Sequence, residues 1–194
     1  MTNIIQKLLI LIVTLVFSTS IFAATEQSLQ EANNNPHDIE SLQRGARNFM
    51  NYCSGCHSAE YVRYEVIASD LGLSDEQVKE YLMFNAQQTF ETINTSMLEV
   101  DAAGWFGQAP PDLSLMARAK GTDYIYTFLK SFYIAKNSPT GVDNLVLAGT
   151  SMPNVLWELQ GHQINLEEDG VNNLELEIQG KMSSEEFDSF LRDT

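Results

Sequence analysis

Cys53, Cys56 and His57 stand in the run Cys53-Ser-Gly-Cys-His57 and are the residues of this chain with the most chemistry to offer. Two thiols three positions apart can reach two reactive carbons on one flat ligand, and the imidazole beside the second thiol can hold a metal at that ligand's centre. This is the spacing of covalent haem c, in which the thiols take the two vinyl groups of a porphyrin and the histidine takes the iron. With two cysteines and three histidines in the whole sequence, the order is a specific signal. A thioredoxin-like redox pair is the main rival, but it calls for a βαβ setting and gives His57 no part. Half of a zinc site is the other, and no second ligand pair with zinc spacing follows.

A haem iron held on both faces carries electrons, whereas an open face admits small molecules, so the second axial ligand separates carrier from enzyme. The candidates are His37, His162 and the methionines beyond Met1. Met50 lies too near the motif. Met83, Met116 and Met182 sit at or beside expected helices, where methionine usually packs. Met97 lies in polar sequence without a clear period and stays open. Met152 stands in Ala148-Gly-Thr-Ser-Met-Pro153, a stretch with neither helical nor alternating period, where Pro153 stiffens the backbone and Gly149 frees it. Such a loop suits a ligand crossing the far face of a porphyrin.

The elements that must position these residues are mostly helical. Ile39, Leu42, Ala46, Phe49, Met50 and Cys53 recur at helical spacing after start signals at 36–38, so the motif closes a helix. Gly45, costly inside that helix, fits a close crossing of the first and last helices. Ser74 with Gln77 and Ser183 with Glu186 make capping boxes. Helices are expected over 37–53, 74–84, 112–120, 122–134 and 183–193, with 24–36 loosely ordered. Leu174 to Ile178 alternates like a strand and would pair within 155–165 as a hairpin. The fold class is mainly α: a c-type cytochrome fold with long haem-wrapping loops and a small β-hairpin.

The length of 194 residues suits one compact domain. Residues 1–23, with Lys7, the apolar run Leu8 to Phe17 and small residues up to Ala23, have the layout of a secretory signal peptide, leaving 24–194 as the haem c domain. A retained N-terminal span is the alternative. Eleven Lys+Arg against 26 Asp+Glu give a net charge of -15, which disfavours nucleic acid as a partner and favours a basic one.

Tyr61-Val-Arg-Tyr64, Trp105-Phe-Gly-Gln-Ala-Pro-Pro-Asp-Leu-Ser-Leu115, Ala117-Arg118, Asp123-Tyr-Ile-Tyr126 and Met152-Pro153 leading to Trp157-Glu-Leu-Gln-Gly161 carry more than a generic cytochrome needs. Together with the cysteine motif they make residues 40–193 resemble the cytochrome c1 family, the haem c subunit of the ubiquinol-cytochrome c reductase (cytochrome bc1) complex, in its proteobacterial form. The resemblance implies that Met152 is the distal ligand, that Pro110 and Pro111 line the haem pocket, and that Arg118 pairs with a haem propionate. A guanidinium suits that task, because an otherwise acidic domain repels an anionic propionate. Tyr126 and Trp105 are expected as pocket or core aromatics.

The implied role is electron transfer from the Rieske iron-sulfur protein through the haem to cytochrome c, beside cytochrome b, at the periplasmic face of the bacterial inner membrane. Glu60, Glu65, Asp70, Glu167, Glu168 and Asp169 could steer a basic carrier. No independent catalytic site is expected. A family member continues past its last helix into a membrane span, whereas this sequence stops at Thr194, so the expected C-terminal anchor is absent; a shortened sequence is the favoured reading, and retention by the leader or by the complex the other. The competing functions are an independent periplasmic carrier and a haem c peroxidase or reductase, the latter lacking an acid-base partner near His37 or His162.

Overall fold

Asp38 opens the first helix by accepting the Ser41 N–H at 3.1 Å. That helix, α1, spans Ile39–Asn48 in the computed structural model, which describes residues 28–168 and 171–194. The expected signal peptide and Asp169 lie outside the described residues, as do the side chains of Glu167 and Glu168. α1 runs into a π-helical turn, Phe49–Cys53, where the Ser54 N–H reaches back to the Phe49 carbonyl at 3.0 Å. Single π turns of this kind recur at functional sites, and this one delivers Cys53 at its last position.

Strand β1 (Ala59–Arg63) leaves the motif and is followed by α2 (Tyr64–Leu71), which Gly72 ends in the left-handed conformation at φ 62°. Helix α3 (Asp75–Tyr81) starts from the Ser74/Gln77 capping box. β2 (Thr92–Ile93) returns to pair antiparallel with β1. Then come α4 (Glu99–Phe106), α5 (Met116–Lys120) and α6 (Thr122–Lys130). β3 (Phe132–Ile134) pairs antiparallel with β4 (Val142–Asn144). After α7 (Trp157–Gln160), β5 (Gly161–Glu168) and β6 (Val171–Gln179) form the long hairpin, and α8 (Ser184–Asp193) closes the chain from its Ser183/Glu186 box.

The mainly helical expectation holds, with eight α-helices among the described residues and three two-stranded sheets where one hairpin was expected. The helix expected over 122–134 ends at Lys130. Its last carbonyls are taken by side chains, Thr127 O by the Ser131 hydroxyl at 2.5 Å and Phe128 O by the Asn144 amide at 2.7 Å, and Phe132 then pairs with Asn144 in the sheet. The helix expected from 112 begins only at Met116, because the preceding segment is tied to β1. α2 and α4 were not expected. The described part of the segment before α1, residues 28–36, is tied down on α6 rather than loose: the N–H groups of Gln30 and Ala32 donate to Thr127 Oγ1 and Asp123 Oδ1, each at 2.8 Å, and Ala32 is buried.

Apolar burial is divided between two clusters. The first holds Met50, Ala59, Tyr64, Ala68, Val78, Leu82 and Ile93 and lies behind the cysteine motif. The second holds Ala32, Tyr126, Leu156, Leu159, Phe187 and Leu191 and lies behind the segment that follows Met152. α1 belongs to the first and α8 to the second, and they meet at Gly45. A Cβ built there would overlap the Asp193 carbonyl oxygen and lie 3.0 Å from its carbon, so only glycine permits the crossing. Arg44 makes a bidentate pair with Asp193 at 2.6 and 3.2 Å, the Ser41 hydroxyl donates to Asp193 at 2.6 Å, and the Asn48 amide donates to Thr194 Oγ1 at 3.0 Å. Among the described residues no helix is long and apolar enough to cross a membrane.

Candidate functional site

The turn after the π segment is tight: the N–H groups of Cys56 and His57 both donate to the Cys53 carbonyl, at 3.0 and 2.9 Å. It presents Cys53 and Cys56 as free, half-buried thiols and leaves His57 only 8% exposed. Burial, with a smaller contribution from neighbouring Cys56, pushes the Cys53 thiol up to about 11, and burial raises Cys56 too. A redox-active pair needs the opposite, a thiolate favoured near neutral pH. The setting also differs from the βαβ unit of a thioredoxin-like pair, because the motif follows α1 and its π turn and leads into the short β1.

His57 is held by one decisive contact. Its Nδ1 lies 2.7 Å from the Pro111 carbonyl oxygen. A carbonyl only accepts, so Nδ1 carries the proton and Nε2 is left as the nitrogen with a free lone pair, the arrangement a metal-ligating imidazole requires. Among the described residues no cluster of three His, Cys, Asp or Glu side chains is arranged to hold a metal by itself. One committed imidazole with two adjacent free thiols is a donor set for a metal that arrives in its own macrocycle, and these residues fit haem c.

Pro111 is fixed because its segment is laced to the start of β1. The Leu113 N–H donates to the Ser58 carbonyl at 2.8 Å, the Glu60 N–H to Asp112 Oδ2 at 2.8 Å, and the Tyr61 N–H to Ser114 Oγ at 3.1 Å. Asp112 also accepts the Ser114 N–H at 2.8 Å. Burial is the largest single influence on its carboxyl and opposes ionisation, yet the hydrogen bonds from Ser114 and Glu60 together outweigh it and hold Asp112 below the usual carboxylate range. On the other side of the motif the Thr95 hydroxyl donates to the Gly55 carbonyl at 2.9 Å and the Thr95 N–H to Ser58 Oγ at 3.0 Å. Asp112, Ser114, Thr95 and Ser58 were missed by the sequence reading; the available signal was the Asp-x-Ser spacing after two prolines, a side-chain turn pattern.

Of the other expected site residues, Pro110 is half-buried beside Pro111, and Arg118 stands exposed on α5 without an ion pair among the described residues. Tyr126 is 4% exposed within the second core, with Lys130 Nζ 5.0 Å over its ring. Trp105 is 66% exposed and meets Phe106 edge to face. Tyr61 and Leu115, also exposed, lie on the two laced segments and belong to neither core. Such surface suits a large apolar ligand or a partner.

The packing of the methionines narrows the search for a distal ligand. Met50 and Met83 pack in or against the first core and Met182 against the second. His162 stacks on Trp157 at 5.2 Å, and His37 is exposed beside the α1 cap. Met97, Met116 and Met152 remain. Met152 is half-buried in a loop that is firmly built: Gly149 adopts φ 74° and donates to Asp143 Oδ1 at 2.7 Å, while the N–H groups of Val146 and Leu147 converge on buried Asn144 Oδ1 at 2.9 and 3.2 Å. Met152 itself donates its N–H to Thr150 Oγ1 at 3.3 Å.

A mainly helical chain that runs from a helix into two free thiols and an imidazole with one ring nitrogen committed has the site of a c-type cytochrome. Comparison with known proteins gives its family. The Cytochrome C1 family model matches residues 30–103. Cytochrome c1 of Allochromatium vinosum is 38% identical over 197 residues, covering 97% of this chain and 81% of that protein. The ammonia monooxygenase gamma subunit of Nitrosomonas europaea is 38% identical over 187 residues, covering 96% and 79%. Cytochrome c1 of Rhodospirillum rubrum is 34% identical over 122 residues, covering 53% and 44%. The chain belongs to the cytochrome c1 family. It is a haem c-bearing electron-transfer subunit of the cytochrome bc1 complex.

Proposed function

We propose that Cys53 and Cys56 form the thioether links to haem c, that His57 and Met152 are its axial ligands, and that Pro110, Pro111, Arg118 and Tyr126 line or support the pocket, with long loops wrapping the macrocycle. The observation that carries this reading is the 2.7 Å contact of His57 Nδ1 with the Pro111 carbonyl, which commits one ring nitrogen and reserves the other. Haem c bound there supplies a one-electron Fe(III)/Fe(II) couple.

The protein's own residues tune and aim that couple. A neutral thioether at Met152 opposite His57 favours the ferrous state, as does an apolar surround. Arg118, the exposed cation on α5, neutralises a propionate by a charge-assisted contact. The electron donor is the Rieske iron-sulfur protein, the acceptor a cytochrome c, and cytochrome b the membrane partner, at the periplasmic face of the inner membrane. Residues 1–23 act as the export signal and 24–194 as the haem domain. Exposed Glu60, Glu65 and Asp70 contribute a salt-screened attraction for a basic acceptor.

Two measurements on the purified protein test the reading. The pyridine haemochrome should carry the spectrum of a haem joined through two thioethers, and the ferrous protein should resist carbon monoxide. A haem released by acidified organic solvent, or rapid carbon monoxide binding to the native ferrous form, would remove its basis.

A further inference from the structure

We propose that Asp112 and Ser114 are positioning residues for the axial histidine: by clamping the Pro111–Ser114 segment onto the start of β1 they set the strength of the His57 Nδ1–H···O=C bond, and through it the basicity of the iron-ligating nitrogen. The proposal rests on His57 being a haem ligand, and it assigns work to two side chains that touch neither the iron nor the imidazole.

The geometry is specific. Four hydrogen bonds join the two segments in order: His57 Nδ1 to Pro111 O, Leu113 N to Ser58 O, Glu60 N to Asp112 Oδ2 and Tyr61 N to Ser114 Oγ. Proline has no N–H, so Pro110 and Pro111 add no backbone donor, and the carbonyl that meets His57 depends on the residues C-terminal to it for its anchorage. Asp112 is the next residue and uses both carboxylate oxygens, one on Glu60 N–H across the gap and one on Ser114 N–H along its own segment. It therefore locks the turn internally and ties it externally. Ser114 takes the next rung, so the carbonyl is held from one side by a ladder that no backbone pairing alone could build.

The consequence is a lever on the redox couple. A carbonyl held close draws the Nδ1 proton, raises the electron donation of Nε2 and favours Fe(III). Loosening the clamp lets the carbonyl drift, weakens that donation and raises the reduction potential. Loss of the Asp112 charge raises the potential as well, so the neutral lesion at Ser114 separates geometry from charge.

The test uses the haem-loaded protein carrying Asp112→Asn or Ser114→Ala. The readouts are the midpoint potential at low and high salt and the hydrogen exchange of the His57 Nδ1 proton in the ferrous state by NMR. Both variants should raise the potential at either salt concentration, and the Nδ1 proton should exchange roughly tenfold faster in Asp112→Asn, with a smaller acceleration in Ser114→Ala. Exchange at the wild-type rate in both variants would overturn the proposal, as would a rise confined to Asp112→Asn that disappears in high salt. If Asp112→Asn fails to accumulate, Ser114→Ala alone decides by the same two readouts. A wild-type protein without thioether-linked haem would instead defeat the functional reading on which the proposal rests.

Discussion

Replacing Gly45 with alanine tests whether the α1–α8 crossing is as tight as the structure has it. In an isolated helix the change is favourable by about 1 kcal/mol, because glycine gives up more backbone freedom than alanine. Here the new Cβ would overlap the Asp193 carbonyl oxygen and lie 3.0 Å from its carbon, so backbone has to move. Overpacking of this kind costs about 1–3 kcal/mol. The separation also stretches the bonds that Ser41 and Asn48 make to Asp193 and Thr194, each worth about 1 kcal/mol. The exposed Arg44 contributes little on top. The sum is a net loss of about 2–4 kcal/mol, or a fall in Tm of roughly 5–15 °C for a chain of this size. Gly104, inside α4 with nothing within 4 Å of its own added Cβ, is the matched control. Gly104→Ala should raise the Tm slightly, by helix propensity alone. Thermal melts of the haem-loaded variants give both signs in one experiment. A Gly45→Ala protein as stable as its parent, with Gly104→Ala also stable, would mean that the helices do not cross as described.

Three further outcomes are expected. Met152→Ala should let carbon monoxide bind the ferrous protein rapidly while Met97→Ala and Met116→Ala leave it resistant; the reverse pattern would move the distal ligand. Arg118→Gln should lower the midpoint potential and make it pH-dependent near neutrality, because a propionate freed of its cation stabilises Fe(III) and titrates, whereas Arg118→Lys should retain most of the parent behaviour; an unchanged potential in Arg118→Gln would place the guanidinium elsewhere. The hydrogen bond from Arg44 holds the Asp193 carboxyl below the ordinary value of 3.8, aided by Ser41 and opposed by partial burial. A carboxyl lowered on folding stabilises the protein above its unfolded value and loses that contribution as pH falls through the lower folded one. Urea melts from pH 6 down to about pH 3 should therefore show a decline that Asp193→Asn flattens; equal slopes in the two proteins would contradict it.

The parts of this molecule that were legible in the sequence are those whose physics is local. Cys53, Cys56 and His57 announce haem c because the chemistry needs them contiguous. The two capping boxes appear as read because four adjacent residues complete each one. Gly45 was legible through its cost: a glycine inside a strong helical period needs a reason, and Asp193 is that reason. The long hairpin came from strict alternation, though its first strand starts at Gly161, after α7 has used the residues just before it. The hidden parts are non-local. Nothing near Phe132 shows that Asn144 waits to pair with it, so helical continuation past Lys130 was the natural reading. α4 was hidden for the opposite reason: it buries only Ala102, and a helix with almost no buried face leaves no periodic mark. The Asp112 clamp joins side chains to backbone more than fifty positions away, and only the spacing of Asp112 and Ser114 hints that the segment is organised at all.

The division of burial into two clusters gives one last prediction, because the two proposed axial ligands ride on different ones. His57 leaves the first core on the turn that follows Met50, and Met152 enters the second through Val155 and Leu156. The α1–α8 crossing joins those cores, with Tyr52 meeting Phe190 edge to face at 5.7 Å beside it. Strain placed at Gly45 therefore acts on the relation between the ligands without touching either. Gly45→Ala should speed carbon monoxide binding to the ferrous protein at temperatures far below its Tm, because each transient parting of the cores frees the distal position. The acceleration should grow steeply with temperature, as an opening equilibrium does, and Gly104→Ala should show none. Carbon monoxide binding to Gly45→Ala at the parent rate, in a protein whose melting point has fallen as expected, would show that the two cores part without disturbing the iron's axial ligands, and the crossing would then be a matter of stability alone.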